Sequence, residues 1–370
     1  MNPRNFRIGI LGGGQLAKMT AISARKLGFE VLTLDPSPEP PASQVAKHIR
    51  GDFRNPHDIR KFSDMCDVMV LDIENVSVED FYASEEHIAK KLIPSPEVVI
   101  KIKDKFLQKK IVSENGVPTP RFDTFPPSKE KFDFPVVQKL RIGGYDGRGV
   151  KIVNSEKEFI LDRHTYLEEF VNIKKELAVI VAIDRRGNYV VYPVVEMVFD
   201  RKANILDYLV VPARIPKDVE ESAKKVALKS AQSFSSPGIF AVEMFWIGNN
   251  TVLFNEIAPR PHNSGHYTIE ACYTSQFEQI VRIAVGLPLG SPELISPCVM
   301  INLLGEGEGE PYYEGLEEVL AIPGVSVHIY GKSKVFPFRK MGHITILDKD
   351  VESAIEKARF VKSKVKVKGK

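Results

Sequence analysis

Apolar positions at the start of the chain come in short runs separated by helical spacing. Phe6 to Leu11 is such a run, Gly12-Gly13-Gly14 follows, and from Gln15 to Leu27 the residues Leu16, Met19 and Ile22 recur on one side. A buried strand, a glycine turn and an amphipathic helix are predicted. Phe29 to Leu34, ending at Asp35, and Asp67 to Ile73 repeat the strand pattern, with helical stretches between. This alternation predicts a parallel sheet with helices on its faces.

From Pro96 to Glu114 the pattern is helical, up to the stop Asn115-Gly116-Val117-Pro118. Strand patterns then dominate. Phe134 to Leu140, Tyr166 to Val171, Leu177 to Asp184 and Tyr189 to Phe199 read as strands, the last two joined by the tight turn Arg185-Arg186-Gly187-Asn188. Pro216 to Phe234 and Ile269 to Val285 are predicted helices, the second stopping at Gly286-Leu287-Pro288. Val299 to Leu304 and Val325 to Tyr330 read as short strands. The last ten residues, VKSKVKVKGK, form either a charged edge strand or a loose tail.

Between those two helices lie the apolar runs Ile239 to Ile247 and Thr251 to Ile257, separated by Gly248-Asn249-Asn250. If Asn249 and Asn250 make a two-residue turn, Glu243 faces Glu256. Two carboxylates about 5 Å apart on one sheet face repel by roughly 3 kcal/mol at an effective dielectric near 20. A cation between them is expected. Mg²⁺ suits the place, because it takes one or two protein carboxylates and completes its octahedron with phosphate oxygens and water, with Mn²⁺ as an alternative. Spacing alone leaves a second reading, two exposed acids on a solvated face. The segment that follows holds Arg260, His262, Asn263, Ser264, Gly265 and His266 beside two prolines, with no apolar periodicity. It does not read as core.

Composition narrows the class. The 370 residues are 43% hydrophobic and 27% charged, enough for two or three ordinary domains. The net charge of +3 comes without a basic cluster interleaved with aromatics, so nucleic acid is not an expected partner. Cys66, Cys272 and Cys298 are few, odd in number and widely spaced, which argues against a disulfide framework or a zinc site and fits a reducing cytoplasm. No apolar run reaches membrane-spanning length, and no signal-peptide pattern precedes the first strand. A cytoplasmic enzyme is expected.

Other segments carry candidate chemistry. The glycine turn with Asp35 admits a dinucleotide reading and hence a nicotinamide-dependent oxidoreductase. Glu74 follows a strand at the carboxyl edge of the sheet, where ligands are contacted, although Asn75 or Ser77 also suits a helix cap. Lys139 lies on an apolar run and needs an anionic partner, a role nucleotide phosphates would fill. Arg141 to Val150, RIGGYDGRGV, combines four glycines with Tyr145, Asp146 and Arg148, which suits a loop that covers phosphates and closes as a lid. Glu168-Glu169-Phe170-Val171 with Glu176 could hold adenine on extended backbone and ribose on a carboxylate. Lys332, Lys334, Arg339 and Lys340 suit a phosphate or carboxylate, or simply a solvated hairpin.

NEIAPRPHNSGH, with Glu243 upstream, GGYDGRG, GGGQLAKM and RKMGH resemble the ATP-grasp carboxylate–amine ligases, specifically the 5-(carboxyamino)imidazole ribonucleotide synthases of purine biosynthesis. The resemblance covers nearly the whole chain. It implies a mixed α/β and α+β architecture in three parts: a Rossmann-like parallel-sheet domain over 1–95, an ATP-grasp domain over 96–290 with a mobile lid at about 118–171, and a small β-rich domain over 291–370. It implies ATP contacts at Lys105, Lys139, Gly144, Tyr145, Asp146, Gly147, Arg148, Gly149, Glu168, Glu169, Phe170, Val171, Glu176, Asn255 and Glu256, and metal ligation by Glu243 and Glu256. For 5-aminoimidazole ribonucleotide it implies Gly14, Gln15, Leu16, Glu74, Tyr145, Asn263, Ser264, Lys332, Arg339 and Lys340. Asp146, Arg148, Arg260 and His262 are the implied catalytic groups, His262 or His266 holding bicarbonate or accepting a proton. A homodimer and hand-over of product to the mutase of the next step are also implied. A formate-dependent glycinamide ribonucleotide transformylase of the same superfamily is the alternative nearest to this reading. The chain departs from the family at Ala17, Phe199 and Phe336, where glycine, histidine and a basic residue are more usual.

Overall fold

A computed structural model describes residues 2–127, 132–144, 149–162, 164–200 and 205–370. The first part is the expected parallel sheet. Its five strands run in the order Lys47–Arg50, Glu30–Asp35, Arg7–Leu11, Val68–Leu71, Leu92–Ile93. Ile8, Ile10, Val31, Val68 and Val70 are buried on one side, and Leu11, Leu32, Leu34, Met69 and Leu71 on the other, so the apolar runs are covered on both faces.

The single helix expected from Pro96 to Glu114 is two, Pro96–Lys103 and Lys105–Glu114. Asp104 is the reason. Its backbone is extended (φ −93°, ψ 106°) and its carboxylate accepts from the Phe106 and Leu107 amides, which stops one helix and caps the next. Arg141 binds that same carboxylate, and the Lys105 amide donates to the Arg141 carbonyl at 2.7 Å. The start of the second helix is thereby fixed against the root of the glycine loop. A similar break splits the helix expected from Ile269 to Val285 into Thr268–Ala271 and Gln276–Val285, the latter capped by Ser275.

Four strands, Phe122–Thr124, Thr165–Glu169, Val136–Leu140 and Val150–Val153, make a separate antiparallel sheet in that order. The largest sheet has eleven strands and is centred on Lys175–Ile183, which pairs with Gly238–Gly248 on one side and Val195–Asp200 on the other. The strand expected from Tyr189 to Phe199 is interrupted at Tyr192-Pro193-Val194, where proline withholds a ladder donor. Helix Lys217–Gln232 covers one face of this sheet through Val219, Ala223 and Ala227. The other face shares a core with helices Gln15–Lys26 and Gln276–Val285, which lie between it and the parallel sheet.

The C-terminal strands continue this same sheet, since Cys298–Glu306 pairs with Ile205–Val211 and with Lys340–Leu347. The chain end is neither an edge strand nor a tail. Lys366–Gly369 pairs with Cys298–Glu306 on one side and Pro311–Glu314 on the other, burying Val365 and Val367 while its lysines face outward.

Candidate active site

The site lies on the face of the large sheet that carries Glu176, Glu243 and Glu256. Ala178 is opposite Glu243, and Glu243 is opposite Glu256, so these side chains and Glu176, two residues before Ala178, point the same way. The facing pair is as the sequence predicts, but the hairpin reaches it by a route no simple turn rule gives. Gly248 pairs with Thr251 around Asn249-Asn250, the register then slips so that Trp246 meets Val252 and Met244 meets Phe254, and a second irregularity beside Glu243 restores it. Ile247 at the first shift and Asn255 at the second are left without a partner in that register. Such a bulge re-aims side chains. Asn255 Oδ1 accepts from Lys139 at 3.0 Å, so Asn255 and Glu256 both address the site.

Charge is unevenly shared here. Burial, with Glu256 and Glu176 adding repulsion, pushes the Glu243 carboxyl up to about 8. Burial acts on Glu256 in the same direction, but Lys105, bonded to its Oε2, outweighs it and holds this carboxyl below the ordinary range. Glu176 is raised to about 7 by burial, with Lys139 opposing and Glu256 adding. Among the described residues no group of three or more His, Cys, Asp or Glu is arranged to hold a metal, and Glu243 and Glu176 have no bonded lysine while Glu256 has Lys105. The facing pair Glu243 and Glu256 is where a divalent cation would fit. Their side chains are not sealed off, since Glu243 is 17% and Glu256 36% exposed.

The lysines are placed by helix Lys105–Glu114 and the antiparallel sheet. Lys105 and Lys109 stand one turn apart on the helix, and Gln108 beside them accepts from the Ile257 amide at 2.9 Å, locking the helix to the carboxylate strand. Lys139 Nζ lies 2.9 Å from Glu168. Glu168 itself is 2% exposed and also takes Lys109 at 3.0 Å and the Tyr166 hydroxyl at 2.7 Å. Its carboxylate is used inside the protein and does not face a nucleotide. Lys109 was not singled out from sequence, where its spacing from Lys105 was the available signal.

On the other side, Arg260 bonds Glu74 and joins the parallel-sheet domain to the carboxylate hairpin. Burial would raise Glu74, but the guanidinium outweighs it and holds the carboxyl at about 2. The dinucleotide reading of the glycine turn does not survive. Asp35 accepts from the Gly13 and Ser37 amides at 2.8 Å each, and Asp72 accepts from the Gly14 and Ala17 amides at 2.9 and 2.6 Å. A Cβ on Gly13 would come within 2.8 Å of Pro40, so the turn is packed against protein. Asp72, missed in the sequence, leaves only the Gln15 and Leu16 amides of that first helical turn for a ligand.

His262 Nδ1 accepts from the Ser264 amide at 3.3 Å, and the Ser264 hydroxyl lies 3.0 Å from the same nitrogen. The ring hydrogen therefore sits on Nε2, which points at Glu243 Oε1 across 3.6 Å. Burial, then Arg260 and Lys340, push this imidazole down to about 4, so it is neutral and donates toward the site. His266 is 1% exposed and packs among Phe277, Tyr330 and His343, with Gln276 on its Nδ1; it belongs to the core, against the expectation of a bicarbonate or proton contact. Asn263 exchanges two amide bonds with Asn302, at 2.9 and 3.1 Å, and Ser264 is fully buried on His262. These two side chains fix the loop and are not turned to a ligand.

The C-terminal cations are held by aromatic and backbone partners. Lys332 donates to the Lys340 carbonyl at 2.6 Å and lies over the Tyr330 ring; Arg339 donates to the Lys334 carbonyl and sits 4.6 Å from the Phe336 ring centre. Phe336, where the family more often has a base, thus supports a cation instead of supplying one. Lys340 begins the strand Lys340–Leu347, and its charge reaches Glu243 and His262. Phe199, the other departure, lies at a register shift of its strand and packs against the core. Glu169 pairs with Val136 on the lid strand and bonds Arg121, and Phe170 and Val171 follow it as irregular backbone. Gly144 and Gly149 both have positive φ, which glycine adopts without strain. Tyr145, Asp146, Gly147 and Arg148 lie outside the described residues.

Three family models match the chain: a ribonucleotide synthetase preATP-grasp domain at residues 6–103, an ATP-grasp domain at 110–277, and a phosphoribosylaminoimidazole carboxylase C-terminal domain at 298–357. The chain is similar to the phosphoribosylaminoimidazole carboxylase of Candida glabrata, 38% identical over 96% of this chain, but spans only 65% of that protein's length. It is 35% identical to the N5-carboxyaminoimidazole ribonucleotide synthase of Bacillus subtilis, covering 94% of this chain and 93% of that one. Among solved structures, the N5-carboxyaminoimidazole ribonucleotide synthetase of Thermotoga maritima superposes with a TM-score of 0.90 at 45% identity, covering 99% of this chain and all of that one. The Aspergillus clavatus N5-carboxyaminoimidazole synthase, in complex with ADP and 5-aminoimidazole ribonucleotide, gives 0.86 at 32% identity over 98% of each chain.

Proposed function

The chain belongs to the N5-carboxyaminoimidazole ribonucleotide synthase family, and on that premise we propose that it joins bicarbonate to the exocyclic amine of 5-aminoimidazole ribonucleotide at the expense of ATP. The observation that carries the reading is the facing pair Glu243 and Glu256, flanked by Lys105, Lys139 and Lys340. Bicarbonate is a poor electrophile and an aromatic amine a weak nucleophile, so activation has to come from the nucleotide. A bicarbonate oxygen attacks the γ-phosphorus in line, the bond to the bridging oxygen breaks, and carboxyphosphate and ADP result. The amine then captures the carboxyl group, as CO₂ released within the closed site; it loses a proton, and phosphate departs.

Each part of the site has a task. Glu243 and Glu256 would hold Mg²⁺, or Mn²⁺, which when bound screens the phosphate charge. Lys105 and Lys139 reach the phosphates from opposite sides, and Asn255 keeps Lys139 turned to the hairpin. Backbone from Glu169 to Val171 holds the adenine edge and Glu176 takes the ribose hydroxyls. His262 donates from Nε2 to an oxygen of bicarbonate or carboxyphosphate, which is a binding role and not that of a general base. Glu74 with Arg260, the amides of Gln15 and Leu16, and the cations Lys332, Arg339 and Lys340 surround the ribonucleotide. By resemblance, the segment Gly143 to Gly149, whose residues 145–148 lie outside the described residues, is assigned the lid that keeps water from the intermediate. Asp146 and Arg148, outside the described residues, are assigned to the ribonucleotide and the carboxylating intermediate by resemblance. No helix among the described residues is long and apolar enough to cross a membrane; a cytoplasmic homodimer that passes its product to a mutase completes the reading.

One assay tests it: ADP release with bicarbonate, formate or neither, adding 5-aminoimidazole ribonucleotide or glycinamide ribonucleotide in turn. ADP formation that needs both bicarbonate and the imidazole is expected. Formation that needs formate and the glycinamide would move the chain to the transformylase reading.

A further inference from the structure

One cation in this region has no task in the reaction as described. Lys109 is fully buried, and its ammonium touches three parts of the molecule: Glu168 of the antiparallel lid sheet at 3.0 Å, Thr119 at the entrance to that sheet at 3.1 Å, and the face of Phe254 on the carboxylate strand, 5.8 Å from the ring centre. Packing alone does not call for a charge there, since methionine has nearly the same length and avoids the desolvation of an ammonium. The electrostatics do call for one. Glu168 is a single buried carboxylate facing two lysines, Lys109 from the helix and Lys139 from the adjacent lid strand. Tyr166 and Lys139 are paired in register and Glu168 is two residues from Tyr166, so all three project from one face of the lid sheet. With Lys109 present, the carboxylate is satisfied from the helix side and Lys139 divides itself between Glu168 and Asn255. Without it, the whole attraction of a buried anion falls on Lys139.

We propose that Lys109 is a positioning residue for nucleotide binding: by neutralising Glu168 across the junction of lid and helix, it leaves the Lys139 ammonium available to the phosphates. The proposal rests on the ATP-binding reading above. It distinguishes charge balance from mere packing, because the defect left by removing the lysine should be cured by also removing the carboxylate's charge. A packing role predicts that the two losses accumulate.

The test is Mg²⁺–ATP binding, by calorimetry without ribonucleotide, to the full chain, to Lys109→Met, to Glu168→Gln and to the double variant, with near-UV circular dichroism to establish folding. The single Lys109→Met change should weaken ATP binding about tenfold, the size usual for members of one buried network, and leave the KM for ribonucleotide unaltered. The double variant should return to within about threefold of the original affinity. Lys109→Met binding ATP like the parent, or a double variant no tighter than Lys109→Met, would overturn the proposal. Should Lys109→Met fail to fold, the folded double variant decides: near-parental affinity supports charge balance, and a loss beyond about tenfold refutes it. A parent chain that binds no ATP refutes the functional reading itself.

Discussion

The Gly12-Gly13-Gly14 turn and the carboxylate hairpin both carry ligand-like patterns, yet one is closed and the other open. At the turn, the amides of Gly13, Gly14 and Ala17 already donate to Asp35 and Asp72, and the missing side chain of Gly13 makes room for Pro40. At the hairpin, two acids face each other and only Glu256 has a bonded lysine; burial, then repulsion from Glu256 and Glu176, pushes Glu243 up to about 8, while Lys105 holds Glu256 down. A helix N-terminus answered by the protein's own carboxylates is a structural joint. A pair of acids left short of cation is a place where a ligand lowers the energy.

The sharpest way to break this contrast is to remove one acid of the pair. Glu256→Gln should lower kcat for ADP formation by about a thousandfold or more, while the protein still folds with a somewhat lower thermal midpoint, because Lys105 loses its bonded partner even as repulsion on Glu243 is relieved. Activity near that of the parent would refute the cation clamp. Next in size is Arg260→Gln, which leaves Glu74 without its guanidinium. The KM for ribonucleotide should rise about ten- to hundredfold with little change in the KM for ATP. An equal rise in both would mean that Arg260 organises the nucleotide side as well.

Much of this site was legible in sequence because its chemistry sits in short segments. A two-residue turn at Asn249-Asn250 predicts Glu243 opposite Glu256, and the pairing holds because two register shifts cancel. The place of Glu176 on the same face follows only from the pairing of Lys175–Ile183 with Gly238–Gly248. What was not legible depends on contacts between distant segments. Two compensating register shifts decide that Asn255 turns toward Lys139, and no local pattern encodes a shift that later cancels. Lys109 looks like any helix lysine until the lid strand supplies Glu168. His262 and His266 look alike in sequence, but Ser264 fixes the tautomer of one and the C-terminal strand buries the other against His343. The breaks at Asp104 and at Cys272–Thr274 were missed because apolar periodicity continues across them while the caps that interrupt it depend on side-chain geometry.

A smaller effect concerns the buried hub behind the hairpin. Burial alone would raise Glu168, yet Lys109 and Lys139 hold its carboxyl at about 2, below the ordinary value of 4.5. A depressed folded-state value means that the stabilisation is complete above about pH 4.5 and is lost as pH falls toward 2. The thermal midpoint of the parent should therefore drop between pH 5 and pH 3 by a few degrees more than that of the Lys109→Met, Glu168→Gln double variant. Parallel curves for the two proteins would show that Glu168 is not the buried anion inferred from the geometry.

The smallest expected effect on activity comes from the closed region, and it tests the contrast from the other end. Asp35 holds two amides, one of them exposed, so Asp35→Ala should cost about 1 kcal/mol of stability. Because both bonds close the turn on itself, the KM for ATP and the value of kcat should be unaltered, and the KM for ribonucleotide should move by no more than about twofold through the neighbouring Gln15 and Leu16 amides. A nicotinamide-binding turn would behave differently, since its acid holds a ribose and its amides hold a pyrophosphate. NADH fluorescence quenching by the parent, abolished in Asp35→Ala, would therefore reopen the turn as a ligand site. An unchanged ATP reaction together with a slightly lower thermal midpoint would leave Asp35 as the lock that makes the first helix and second strand one rigid wall, against which Glu74 and Arg260 are set.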